Sequence, residues 1–252
     1  MTIELGSSII SPDWPAPSRV HAFTTTRLGG NSHAPYDSLN LAQHVGDNPA
    51  DVSANRAHLK QLLGYRTEPA WLEQVHGIEV VTAGNCGSAT VADASVSTSA
   101  NEICVVMTAD CLPVLFCDKQ GRAVAAAHAG WRGLADGVLE ATLKRLCNEL
   151  ACSASDILAW FGPAIGASAF EVGDEVRDAF ISRHDVASAF VATRAGHWLM
   201  DICAVARTRL TVAGVMDISG GQYCTHTDAE QFFSYRRDGD CGRMASLIWL
   251  QD

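Results

Sequence analysis

Long apolar runs are missing from this 252-residue chain: nothing in it approaches the roughly 20 consecutive apolar residues that a bilayer-spanning helix needs. A membrane-embedded protein is therefore not expected. Basic residues are also scarce, with Lys and Arg totalling 18 against 28 Asp and Glu, a formal net charge of −10. Such a surface repels both the phosphate backbone of nucleic acids and anionic lipid faces, so neither is an expected partner. Any anionic ligand has to be met by local arginines. Met1 to Val20 has no basic start followed by an apolar stretch of signal-peptide length, and Pro12, Pro15 and Pro17 interrupt it, so a cytoplasmic location is expected. Ready-made metal motifs are absent too: there is no CxxC, no HExxH and no His-x-His pair. The nine cysteines are odd in number and scattered, which argues for reduced thiols rather than a disulfide framework. Cys104 and Cys147, set among apolar neighbours, read as small core residues.

What is present suffices for a large core, since 48% of the residues are hydrophobic and 18% charged. No repeat or long linker divides the chain, and one domain over residues 1–252 is expected. Short apolar runs predict strands at Val20 to Thr25, Ile78 to Thr82, Ile103 to Thr108, Val114 to Cys117, Ala123 to Ala127, Ile157 to Phe161 and Ser246 to Leu250. Gly84 to Ala100, rich in Gly, Ala, Ser and Thr, reads as a loose loop flanking a site. A first helix opens at Asn48-Pro49, with Asn48 as cap, and closes at Gly64. A second follows Gly133, with Leu134, Val138, Leu139, Leu143 and Leu146 as its apolar stripe. Others run from about Gly173 to Ser182 and from the cap Asp201 to Ala213. Strands alternating with helices, plus a short Cys111 to Gly121 interval that suits a hairpin, predict an α/β (α+β layered) fold with a mixed sheet flanked by helices.

Chemistry gathers at strand ends. Ala127-His128-Ala129-Gly130-Trp131-Arg132-Gly133 places a histidine where an apolar run meets a glycine-rich turn, and Thr108-Ala109-Asp110-Cys111-Leu112-Pro113 repeats the design with a cysteine. Catalytic metal sites commonly use three protein ligands and leave a fourth position open. His76, in Trp71 to Gly77, is the candidate third ligand beside Cys111 and His128, although nine histidines and nine cysteines allow many triples. Cys111 also reads as a thiolate nucleophile with His128 as its base. Asp110 is either a proton acceptor or a turn residue before Leu112-Pro113. Arg56 shares a helix face with Val52 and Leu59, and a buried arginine needs an anion; the plainer alternatives are an internal ion pair, or a stem along the core with its head in water. Phe232 to Arg243 concentrates Arg236, Arg237 and Arg243 next to aromatic rings, a composition suited to an anion and a flat ring, or to local pairing with Asp238 and Asp240. Gly29-Gly30 beside Arg27 is a plain turn or an approach to phosphate.

Taken together, Phe23 to Gly30, Tyr36 to Leu41, Asn55-Arg56, Trp71 to Gly77, Thr108 to Pro113, His128 to Gly133, Gly162 to Gly166 and Phe232 to Asp238 resemble the bacterial laccase-domain family, also called YfiH-like or multicopper polyphenol oxidase and more recently described as purine nucleoside phosphorylases. The resemblance covers nearly the whole chain in order. It implies a single α/β domain like the catalytic domain of cytotoxic necrotizing factor toxins, and a zinc site on His76, Cys111 and His128. It implies phosphorolysis of adenosine, inosine, guanosine and methylthioadenosine, together with deamination of adenosine, a reaction whose protons Asp110 or another acid/base would move. Arg56 matches a family arginine implicated in holding phosphate, while Asn40, Arg132 and Arg236 are the further substrate-binding candidates. Tyr235, Phe232 and Trp131 are candidate purine-stacking rings or core residues. Cys241 stands where the family usually has threonine. The implied partners are a small nucleoside and phosphate. Two rival activities attach to the same family: copper-dependent phenol oxidation, which the missing His-x-His pairs disfavour although copper suits the same ligands, and hydrolytic editing of muramyl-peptide cell-wall precursors in the cytoplasm. A zinc-stabilised binding module is the non-enzymatic alternative.

Overall fold

The computed structural model describes residues 8–87 and 89–252, so Met1 to Ser7, the start of the segment read for a leader, lies outside the described residues. In chain order the elements are β1 (Ile9–Ile10), β2 (Val20–Thr25), α1 (Pro49–Leu63), β3 (Val80–Thr82), β4 (Ala94–Ser97), β5 (Cys104–Thr108), β6 (Leu112–Asp118) and β7 (Val124–Ala129). There follow α2 (Trp131–Asp136), α3 (Val138–Leu150), β8 (Ile157–Phe161), β9 (Glu171–Gly173), α4 (Asp174–Ile181), β10 (Phe190–Arg194), β11 (His197–Met200), α5 (Ile202–Val212), β12 (Asp217–Gly220), α6 (Tyr235–Asp238) and β13 (Met244–Leu250). A six-stranded mixed sheet runs β12-β8-β6-β7-β4-β3, a four-stranded antiparallel sheet runs β1-β2-β13-β5, and β10-β11-β9 form a small third sheet. The fold is mixed α/β, with several sheets flanked by helices.

Side-chain alternation along the strands decides the layering. Leu112, Val114 and Phe116 of β6 face a core shared with Leu139, Leu143 and Leu146 of α3 and with Val205 and Leu210 of α5. Leu115 and Cys117, the alternate positions, face Cys104, Val106 and Ile248 of the four-stranded sheet. That second sheet covers its outer face with Leu39, Leu41 and Leu59, the last from α1. The order is helix, sheet, sheet, helix, with two interior cores and a third under α1.

Several sequence expectations change. The helix expected after Gly133 begins earlier, at Trp131, and breaks at Gly137, whose φ of 109° suits glycine and ends one helix as it starts the next. The loose stretch Gly84 to Ala100 contains β4, a wholly buried strand; its small residues fit between the two sheets, and their low hydrophobicity hid it. Strands β9 to β12, three to five residues each, are too short to be read. Cys104 is fully buried, whereas Cys147 is only partly covered on α3. All nine thiols are free. Helix α1 forms where the capping signals put it, with the Asn48 side chain accepting from Ala50 N and Gly64 left-handed at the end. Among the described residues no helix is long and apolar enough to cross a membrane.

Candidate metal centre

Strands β6 and β7 are antiparallel neighbours in which Pro113 pairs with His128 and Leu112 with Ala129. Cys111, one step before β6, and His128, one step from the end of β7, therefore arrive at the same end of one hairpin. By alternation both lie on the face directed at the other sheet. His76 comes from the loop between α1 and β3, with a left-handed φ of 61°. One ligand atom from each of His76, Cys111 and His128 lies within 4.8 Å of the other two, and His76 Nε2 is 3.7 Å from Cys111 Sγ. The two imidazoles meet edge to face at 4.8 Å between centroids. Gly130 leaves room for them: a Cβ there would come 2.5 Å from His76 Cδ2 and 3.1 Å from Cys111 Sγ.

Asp93 organises this cluster and was not found from sequence. It precedes β4, is fully buried, and accepts from His128 Nδ1 at 2.8 Å. The same carboxylate accepts from the backbone N–H groups of Val75 (3.2 Å), His76 (2.9 Å) and Gly77 (2.6 Å), while its carbonyl accepts from His128 N at 2.7 Å. One buried acid thus fixes the tautomer of one candidate ligand, leaving its Nε2 free to coordinate, and the backbone of another. A carboxylate behind a ligating histidine is the usual outer support of a metal site. The signal that would have found it is an aspartate at the head of a small-residue strand, where a buried charge needs a partner.

Electrostatics of the metal-free cluster follow. Burial opposes ionisation of Cys111, but the His128 charge and hydrogen bonds from both histidines outweigh it and hold the thiol down to about 6. Burial likewise opposes a charged His128, yet Cys111 and Asp93 raise it to about 9. Asp93 is held below the usual carboxylate range, against burial, by His128 and by the Gly77 and Val75 N–H groups. A thiolate with two imidazoles, one oriented from behind, is a donor set that fits zinc and equally fits copper, and a glycine cradle keeps the convergence point open.

The remaining candidates lie outside the three-ligand cluster. Asp110, at a left-handed φ of 92°, accepts from Thr225 Oγ1 at 2.6 Å and from Arg236 N at 2.7 Å, so its carboxylate anchors the start of α6. It lines a cavity of about 140 Å³ that opens on Cys111 and is walled by Trp131, Phe170, Tyr235 and Arg236. Arg236 is exposed, lies over Phe170 and donates to Glu171 O. Phe232 is fully buried against Tyr223, which removes it from purine stacking. Arg237 takes the local pairing, bonding Asp238 at 2.6 Å and three backbone carbonyls. Arg132 is exposed and lies over its neighbour Trp131, outside both cavities. Asn40, a substrate-binding candidate, is fully buried, its amide donating to Ala42 O and Asp47 and its carbonyl accepting from Ala42 N and Arg243 N. Gly29 bends the chain with a left-handed φ of 90°, and Gly30 N–H donates to Ser38 Oγ at 3.1 Å. Cys241 is buried, with Arg243 3.5 Å from its sulfur.

Arg56 lines a second and larger cavity, about 670 Å³, whose wall from Pro69 to Gln74 ends two residues short of His76. Its guanidinium lies 3.9 Å over the Trp71 ring and Nε donates to Leu41 O at 3.0 Å. This is neither the internal ion pair nor a head released to bulk water. Trp71 is held in turn by Glu68, which accepts its indole N–H at 2.7 Å.

These features define an α/β protein with a three-ligand His–Cys–His site able to hold a metal, set at the end of the layer between two sheets. The chain belongs to the multi-copper polyphenol oxidoreductase laccase family, whose model matches residues 21–251. It is 53% identical to a Pseudomonas aeruginosa protein named purine nucleoside phosphorylase, over 96% of this chain and 98% of the relative, and 53% identical to Escherichia coli purine nucleoside phosphorylase YfiH, over 97% and 99%. Among solved structures, Neisseria meningitidis NMB0706 superposes with a TM-score of 0.92 at 48% identity, covering 97% of this chain and 100% of that one. YlmD from Geobacillus stearothermophilus gives 0.88 at 31% identity, covering 93% of both.

Proposed function

We propose that this chain is a cytoplasmic, zinc-dependent purine nucleoside phosphorylase acting on adenosine, inosine, guanosine and methylthioadenosine, which also deaminates adenosine. The observation that carries the reading is the convergence of His76, Cys111 and His128, backed by Asp93, beside a cavity that holds a stacked arginine with no ion pair among the described residues. The names of the relatives support it. Zinc bound there supplies a Lewis acid able to polarise an oxygen of water or substrate.

The chain's own residues supply the rest. Arg56, its plane fixed by Trp71, holds phosphate through its Nη groups against the anomeric carbon of the ribose. An oxygen of HPO₄²⁻ bonds to C1′ as the C1′–N9 bond breaks, and the phosphate proton passes to the departing purine, leaving ribose 1-phosphate and free base. Trp131 and Tyr235 wall the small apolar cavity beside Cys111 and offer faces for the flat base. Asp110, spent on Thr225 and Arg236 N, keeps α6 in place at that cavity. Deamination consumes water at C6 of adenosine and releases ammonia and inosine.

Incubating zinc-loaded protein with adenosine and phosphate, while following ribose 1-phosphate and inosine separately, tests both activities. Ribose 1-phosphate that depends on phosphate is expected; if neither product forms, the reading fails. The donor set also favours copper-dependent phenol oxidation, the activity in the family's name, because thiolate and imidazole bind copper tightly. Among the described residues, however, they form one three-ligand cluster rather than several. Stoichiometric copper in protein prepared without added metal, with phenol turnover that persists against zinc competition, would install that reading instead.

A further inference from the structure

The larger cavity holds a second basic side chain that the reading above leaves without work. His44 lies between the loop at Leu41 and helix α1, lines the same cavity as Arg56, and makes no hydrogen bond to any described residue. Arg56 has spent Nε on Leu41 O and one face on Trp71, so only its Nη edge is left to meet a ligand. Glu68 acts on it electrostatically but, bonded to the Trp71 indole, forms no ion pair with it, and desolvation outweighs that help and lowers its proton affinity below that of an ordinary arginine. Such a cation is costly unless an anion joins it.

We propose that His44 is a phosphate-binding residue, donating an imidazole N–H to the tetrahedral oxyanion that the Nη edge of Arg56 faces. The inference rests on the phosphorylase reading and adds a residue to it. His44 holds its proton less readily than an ordinary histidine because it is partly desolvated and faces Arg243 and Arg56, with Glu73 opposing them. A neutral ring donates through one nitrogen without placing a third cation between two arginines. Glu68, committed to the Trp71 indole, tightens the platform beneath Arg56. Glu73 also lines the cavity; as an acceptor it suits the ribose hydroxyls that accompany phosphate, and it confines the oxyanion to the Arg56 and His44 side.

The test uses zinc-loaded full chain and the variants His44→Ala and His44→Gln, the latter retaining an N–H donor. Steady-state phosphorolysis is measured with inorganic phosphate varied at saturating inosine, and then the reverse. His44→Ala is expected to raise the KM for phosphate about tenfold, the loss of one charge-assisted hydrogen bond, with the inosine KM within about twofold and zinc content unchanged. His44→Gln is expected to recover most of the loss. A phosphate KM within twofold of wild type, or an equal rise in the inosine KM, overturns the assignment. Calorimetric titration with inorganic phosphate in the absence of nucleoside, alongside inosine 5′-monophosphate, reads binding independently of turnover. Weakened inorganic phosphate binding in both His44→Ala and Arg56→Ala supports the site even if no nucleoside is cleaved, in which case the phosphorylase reading alone fails. Phosphate binding indifferent to His44, or an effect confined to the nucleotide, sinks the inference while leaving phosphorolysis standing.

Discussion

The two ends of the β6–β7 hairpin use one device for opposite purposes. At the turn, fully buried Asp118 accepts from the backbone N–H groups of Gln120, Arg122 and Ala123 and from Arg122 Nε at 2.8 Å. At the open end, fully buried Asp93 accepts from the N–H groups of Val75, His76 and Gly77 and from His128 Nδ1 at 2.8 Å. Each carboxylate binds three backbone donors and one basic side chain, and each is held below the ordinary carboxylate range against burial, by Arg122 at one end and His128 at the other. The identity of the fourth partner separates them. Arginine has only donors and ends the chain of interactions, whereas histidine passes it on through a second nitrogen that can ligate. A structural brace becomes a site when the side chain at its end has something left to give.

The comparison can be broken from either end. His128→Ala removes a ligand and is expected to abolish stoichiometric zinc, read by elemental analysis after dialysis, and with it nucleoside turnover. Asp93→Asn keeps all three ligands but sets an amide against backbone donors; zinc affinity is expected to fall about 10- to 100-fold in competition with a chromophoric chelator. Asp118→Asn is the matched control, expected to lower unfolding stability by about 2 kcal/mol in urea titration while leaving zinc affinity unchanged. If the two asparagine variants lose zinc equally, the distinction between the ends is wrong. Acid unfolding sharpens it further. The folded pKa of Asp118 lies below the reference 3.8, so its contribution is complete above that value and disappears as pH falls through the lowered one. The stability gap between wild type and Asp118→Asn should therefore begin to narrow below about pH 4 and close only below the lowered folded pKa. Arg122→Ala, at a solvent-facing partner, is expected to produce the smallest change, a slight loss of melting temperature and none of zinc.

The chemistry-bearing ends of long apolar strands were legible, because Cys111 and His128 each interrupt a hydrophobic run and a run's end is where a polar side chain can be exposed. Arg56 was legible as an oddity, a cation on an apolar helix face, and its aromatic platform was not, since Trp71 is 15 residues away on a loop. Asp93 and β4 were hidden for one reason: alanine and serine pack well between two sheets yet carry none of the bulk by which a strand announces itself. Asn40 is a different case: the sequence marks a polar residue in a recognisable segment, while its four hydrogen bonds to Ala42, Asp47 and Arg243 come from contacts that no spacing reveals.

Cys111 and His128 stand two rungs apart on a ladder in the middle of a six-stranded sheet, while His76 sits on a loop whose N–H groups at Val75, His76 and Gly77 close on Asp93. Amides of central strands exchange with solvent only on global opening, and loops open far more often. By closing on those three N–H groups, the buried Asp93 carboxylate lends the loop the slow opening of the strands beside it.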